Sequence, residues 1–143
     1  MFDVVMVGAD DSSTARRAVE AAIDIAAMYG SKLHIVTAYE RGTSVPKGTP
    51  AEFAHVRTKD EGEATLQALS FIAKKRDLEP VLHSVKGDAA EGLLKMAQEL
   101  KAELLVVGNL GMRGIHRVLG SVPNTVAHGA HCSVLIVDTI DQP

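Results

Sequence analysis

Apolar residues along this chain come in two rhythms. Val4–Val7 (VVMV) is a short unbroken run, and Lys32–Tyr39 (KLHIVTAY), Pro80–Lys86 (PVLHSVK), Leu104–Val107 and Ser133–Val137 (SVLIV) are of the same kind. Runs of this length, rich in branched residues, predict strands covered on both faces. Between them apolar residues recur every three to four positions, the helical period. The first helix is expected to be capped by Ser12 or Ser13 and to run to Tyr29, with Ala18, Ala22, Ile25 and Ala26 inward and Gly30 as its C′ residue. A second is expected over Ala54–Arg76, with Leu69, Ile72 and Ala73 inward. Gly87 and Asp88 then turn the chain into a third, Ala89–Leu100, with Leu93, Leu94, Ala97 and Leu100 inward. Gly92 in its interior costs about 1 kcal/mol of helix propensity. A fourth is expected from about Val122 to Ala130. Met28 and Met96 fall on apolar helix faces and read as core filler, whereas the KKRD cluster at Lys74–Asp77 reads as a solvated helix end. The order βαβαβαβαβ predicts the α/β class, a parallel sheet with helices on both faces and right-handed crossovers.

Composition narrows the picture. A length of 143 residues suits one domain, 1–143, and no internal repeat or linker interrupts it. No apolar run approaches the roughly eighteen residues of a membrane span, and MFDVVMVGAD reads as a strand rather than a signal peptide. A single cysteine, Cys132, rules out an internal disulfide and fits a cytoplasmic protein. The formal charge of −3 and the pI of about 6.0 argue against a nucleic-acid partner. Aromatics at 3%, with no Trp, leave few platforms for stacked bases.

Ligands of such sheets bind beyond the carboxyl ends of the strands, where the strand order reverses. Two segments stand at such ends: GADDSS after the first strand, and the glycine-rich GNLGMRGIHRVLGSVP, Gly108–Pro123, after the fourth. If the first and fourth strands are neighbours, the two segments face one another. In the second segment, Gly108 and Gly111 let the backbone turn and approach a ligand closely. Ser121 stands where a helix begins, whose free N–H groups attract anions, and its hydroxyl can cap that helix or donate to a phosphate. Pro123 sits in the first helical turn, where its missing N–H costs little. Arg113 and Arg117 add positive charge. The same glycines also serve loops that do nothing but turn. The segment lacks the Gly-Lys-Ser/Thr of a Walker A loop, and the dinucleotide fingerprint belongs on the first βα turn. There, Asp10 can accept hydrogen bonds from an exocyclic amine or can simply stabilise a helix N-terminus. The adjacent carboxylates Asp10 and Asp11 would repel a pyrophosphate, which assigns this side to a base or sugar.

GNLG, a spacer and GSV, followed by a helix and VLIV, resemble the nucleotide-binding signature of the universal stress protein family. VVMVGADDSSTARRAVEAA is similar to that family's first strand and helix, and VKGD to its third strand–turn. The resemblance spans essentially the whole chain. It implies a Rossmann-like open sheet of five parallel strands in the order 3-2-1-4-5, and a homodimer paired through the last strand, Ser133–Val137. The implied ligand is an adenine nucleotide, ATP or cyclic AMP, with Mg2+ accompanying ATP. Gly8, Ala9 and Asp10 would line the adenine side, with Ala38 against the base. Val107, Gly108, Leu110 and Gly111 would contact ribose and phosphate, and Gly120, Ser121, Val122 and Pro123 would close around the phosphates. Two departures stand out. The spacer Met112–Leu119 is one residue shorter than the family's usual one, and Asp11 replaces a common glycine.

No nucleophile–base pair is apparent, so a cytoplasmic nucleotide sensor or carrier is expected rather than an enzyme. A slow ATP hydrolase and a structural dimer without nucleotide are the alternatives. The H-x-x-H-C spacing of His128, His131 and Cys132 spans a helix end and a strand start. A zinc site would show further ligands at matching spacing, so His128 reads as a polar residue of its helix's last turn. His116 reads as solvent-exposed, and His34 as a strand residue facing a helix.

Overall fold

The computed structural model describes residues 1–10, 14–39, 58–109 and 121–139. Its elements run β1 (Val4–Gly8), α1 (Ala15–Tyr29), β2 (Lys32–Tyr39), α2 (Lys59–Lys74), β3 (Val81–Lys86), α3 (Ala89–Leu100), β4 (Leu104–Gly108), α4 (Ser121–Gly129) and β5 (Ser133–Val137). The five strands form one sheet in the order β3-β2-β1-β4-β5, and every neighbouring pair is parallel. Both expectations hold: the α/β class and the strand order.

The two faces of the sheet follow from strand alternation. Val5, Val7, Leu33, Ile35, Leu104 and Val106 pack on one side against Ala18, Val19, Ala22, Ile23 and Ala26 of α1 and Leu66, Leu69 and Ala73 of α2. Met6, Val36, Leu105 and Val107 pack on the other side against Ala90, Leu93 and Ala97 of α3 and Val126 of α4. Val5, Met6 and Val7 are all wholly buried. That is why their run is apolar at every position rather than at alternate ones.

The element ends show what sequence periodicity could not resolve. Gly30 closes α1 in the left-handed conformation expected of it. Thr14 precedes α1, while Ser12 and Ser13 lie outside the described residues. α2 ends two residues before Arg76, because Arg76 and Asp77 bond back three residues in a tightened turn. Asp77 then takes a positive φ that stops the helix. Its start at Lys59 is set by Thr58, whose hydroxyl accepts from the Glu61 N–H; Ala54 lies outside the described residues. β3 begins at Val81 because Pro80 has no N–H to give to the ladder. Asp88 caps α3 through the Glu91 N–H at 3.0 Å. On α1, Ile23 rather than Ile25 is fully buried, with Ile25 at the rim of the core. Met28 is a correction: it is 77% exposed, because it falls on the face of α1 shared with the exposed Arg17 and Asp24, away from Ala22 and Ala26. Met96 does pack on the second core, with Leu100 beside it. Among the described residues no helix is long and apolar enough to cross a membrane.

Gly92 has a packing reason that propensity hides. A Cβ there would stand 2.8 Å from Val85 Cγ2, so a side chain fits on this face of α3 only if Val85 gives way. Gly92→Ala should therefore lower stability by about 1–3 kcal/mol, the range for overpacking, instead of gaining the helix-propensity increment of about 1 kcal/mol. Urea unfolding of Gly92→Ala, alone and with Val85→Ala, checks this: the second change should recover part of the loss.

His34 is a strand residue of β2, as expected; it is also buried, and it has a partner. The β2–β3 register sets it near His83, and His34 Nδ1 lies 2.9 Å from His83 Nε2 with the rings stacked 5.1 Å apart. One ring donates and the other accepts, so a neutral pair is satisfied. Burial lowers both pKa values, and His83 and Lys32 lower that of His34 further. The sign of the linkage follows. The unfolded chain takes up protons more readily, so stability is complete above about pH 6.5, falls as pH drops below it, and levels off once the folded pair is protonated. The urea midpoint should fall between about pH 7.5 and pH 5, and less steeply in His83→Gln.

Candidate functional site

β1 lies between β2 and β4, and the chain leaves it for the two sides on opposite faces of the sheet. α1 carries the chain from β1 to β2 on one face, and α3 brings it from β3 to β4 on the other. Such a divergence opens a crevice at the carboxyl ends of the two strands. A cleft of about 190 Å³ is found there.

Its near wall is the end of β1. Gly8, Ala9 and Asp10 line it, together with Thr14, Ala15 and Ala18 from the start of α1. The Ala9 N–H donates to the Val36 carbonyl at 2.9 Å, which continues the β1–β2 ladder to the rim. Val36 and Ala38 of β2 form the floor with Val85 of β3. The far wall is Val107 and Gly108 of β4, with Val122 and Pro123 from the first turn of α4. Eight of the residues singled out in the sequence are thus brought to one cleft. Ser121 opens α4 beside it as an exposed residue and does not itself line it. Leu110, Gly111 and Gly120 lie outside the described residues, as do Asp11, Arg113, His116, Arg117 and the spacer.

The glycines at the strand ends make room for side chains. A Cβ on Gly8 would stand 2.7 Å from Leu93 Cδ1, and one on Gly108 would stand 3.0 Å from Thr139 Cγ2. Leu93 and Thr139 both line the cleft. Thr139 was missed because it follows the last strand in a tail that reads as merely polar. Leu93 read as core, and it is core and cleft at once. Only the strand register, which no local spacing reveals, brings them here. The lining is mostly apolar or backbone, and Asp10 is the one charged side chain among its described residues. This suits a flat apolar ring held by a few polar contacts at its edge.

The other candidates lie elsewhere. His128 is in the last turn of α4, as expected. Cys132 is half-buried, and burial pushes its thiol pKa up, against a smaller lowering from a hydrogen bond with the Leu105 backbone. An unreactive thiol packed on the second core fits that environment. Among the described residues no group of three or more His, Cys, Asp or Glu could hold a metal ion.

Gly8→Ala should force Leu93 off its position and shrink the cleft, at a cost of about 1–3 kcal/mol. Chemical denaturation checks this, and Gly8→Ala with Leu93→Ala should show less than the sum of the two single losses.

Known proteins share this sequence pattern and fold. The model of the universal stress protein family matches residues 1–138. Universal stress protein Rv1636 of Mycobacterium tuberculosis is 37% identical, over 96% of this chain and 97% of its own. A universal stress protein solved in complex with cAMP is 37% identical with a TM-score of 0.75, over 97% of this chain and 98% of its own. One from Archaeoglobus fulgidus, solved in complex with dAMP, shares the fold at 21% identity and a TM-score of 0.70, over 92% of this chain and 94% of its own.

Proposed function

The chain belongs to the universal stress protein family, and we propose that it binds an adenine nucleotide in the cleft between the ends of β1 and β4, as a sensor or carrier rather than an enzyme. The observation that carries the reading is the cleft itself. It sits at the point where strand order reverses and joins an apolar floor to a carboxylate at one end and a helix N-terminus at the other. The likeness to a protein solved with cAMP, at 37% identity over nearly the whole chain, supports it.

Each wall then has a task. Ala38, Val36 and Val85 give the adenine ring an apolar bed. Asp10 accepts from its exocyclic amine, a charge-assisted bond. Val107 and Gly108 stand beside the ribose. The first turn of α4 directs the N–H groups of Ser121 and Val122 and the positive end of the helix dipole at the phosphate, with Pro123 packed beside them. Leu110, Gly111 and Gly120 complete that side in the family pattern.

Between ATP and cyclic AMP, the described residues favour the compact ligand. Mg2+ would come with ATP, yet among the described residues the one carboxylate lining the cleft is Asp10, which this reading gives to the base end. A singly charged cyclic phosphate needs no metal and fits a wall of backbone N–H groups. The apolar β5, at the edge of the sheet, is the surface we assign to homodimer pairing, since an unpaired apolar edge invites a second strand.

Calorimetric titration of nucleotide-stripped protein with ATP, ADP, AMP and cyclic AMP tests the reading. We expect one site per chain, cyclic AMP ranked above ATP in the absence of Mg2+, and about ten-fold weaker binding in Asp10→Ala, the scale of a hydrogen bond to a charged group. Absence of heat from all four ligands would overturn it. Phosphate release from ATP that disappears in Asp10→Ala would make the protein a hydrolase instead.

A further inference from the structure

Asn109 lies between the two glycines of GNLG, and its side chain makes three hydrogen bonds to the residues that follow β5. Its Oδ1 accepts from the Thr139 N–H at 3.0 Å and from the Thr139 hydroxyl at 2.9 Å, and its Nδ2 donates to Asp138 Oδ1 at 3.3 Å. Its own N–H donates to the Val137 carbonyl at 2.9 Å. The amide orientation is unambiguous, because a backbone N–H can only be met by Oδ1.

These bonds join the chain leaving β4 to the chain leaving β5. Thr139 is 1% exposed and is seated where a Cβ on Gly108 would touch it. Gly108 is therefore held from two directions: by its β5 neighbour Val137 through the ladder, and by Thr139 packed on its open side. Gly108 and Asn109 are the last described residues before the segment that leads to α4. Without Asn109, Thr139 would keep a buried hydroxyl and a buried N–H without their acceptor. It would leave its seat, and Gly108 would lose the contact that fixes it.

We propose that Asn109 is the positioning residue for the phosphate end of the cleft: through Thr139 it holds Gly108 where the ribose-phosphate of a bound nucleotide must pass. Asn109 itself does not line the cleft. The inference rests on the nucleotide reading above and adds a residue that this reading does not need. It makes a lopsided demand. The adenine bed belongs to β1, β2 and β3 and does not depend on the clamp, so its loss should weaken the grip on phosphate alone.

Affinities of adenosine and AMP, measured by calorimetry, separate the two ends. Thermal melting first shows that each variant is folded. In Asn109→Ala and in Thr139→Val, AMP should bind about five- to ten-fold more weakly, the scale of a neutral hydrogen bond or two, while adenosine is unchanged. Thr139→Ser keeps both donors to Asn109 and should bind AMP as the parent does. The double change Asn109→Ala with Thr139→Val should be no worse than Asn109→Ala alone. Equal weakening of adenosine and AMP, or no change in either, would overturn the clamp while leaving the nucleotide reading intact. A parent protein that binds AMP no better than adenosine would overturn it too, and one that binds neither would end both.

Discussion

Everything in this molecule hangs on the central strand. β1 is buried on both faces, with Val5, Met6 and Val7 at zero exposure, and it is hydrogen-bonded to β2 on one side and β4 on the other. A short strand so enclosed can carry no polar side chain until it emerges, and it emerges at Gly8, Ala9 and Asp10. The first place where chemistry is possible is thus also the place where the two halves of the sheet part. Site and core are adjacent because one five-residue strand supplies both.

The same economy governs the second half of the sheet. β4 repeats the pattern, four buried residues and then Gly108. What differs is how each rim is secured. The β1–β2 rim carries the backbone bond from the Ala9 N–H to the Val36 carbonyl. The β4–β5 rim adds the Asn109 side chain.

Much of this was legible in the residues. Unbroken apolar runs located five strands, because strands covered on both faces cannot alternate. Gly8, Asp10 and Gly108 were legible as cleft residues, because strand ends are where such sheets open. The rest was hidden for definite reasons. Met28 stands three residues after Ile25, but Ile25 is only at the rim of the core, and one further step carries Met28 round to the polar face of α1. Gly92 looked like a weakness, since closeness to Val85 is a property of two elements packed together. The partner of His34 is 49 residues away, and only the β2–β3 register brings it near. Thr139 sits in a polar tail whose return to Gly108 no local signal records. Met28 apart, each omission concerns a contact across elements, where local patterns carry no information.

The position of Thr139 bears on how the protein is made. The ribosome delivers the walls of the cleft in sequence: Gly8 early, Val36 and Val85 later, Gly108 later still, and Thr139 last. Until β5 has emerged and paired with β4, Gly108 has nothing on its open side and Asn109 has nothing to hold. A nascent chain can thus build the apolar bed while it is still being translated, yet it cannot finish the opposite wall. The opposite wall is complete only once the chain through Thr139 is available to β4, whatever part of the sheet has formed before it.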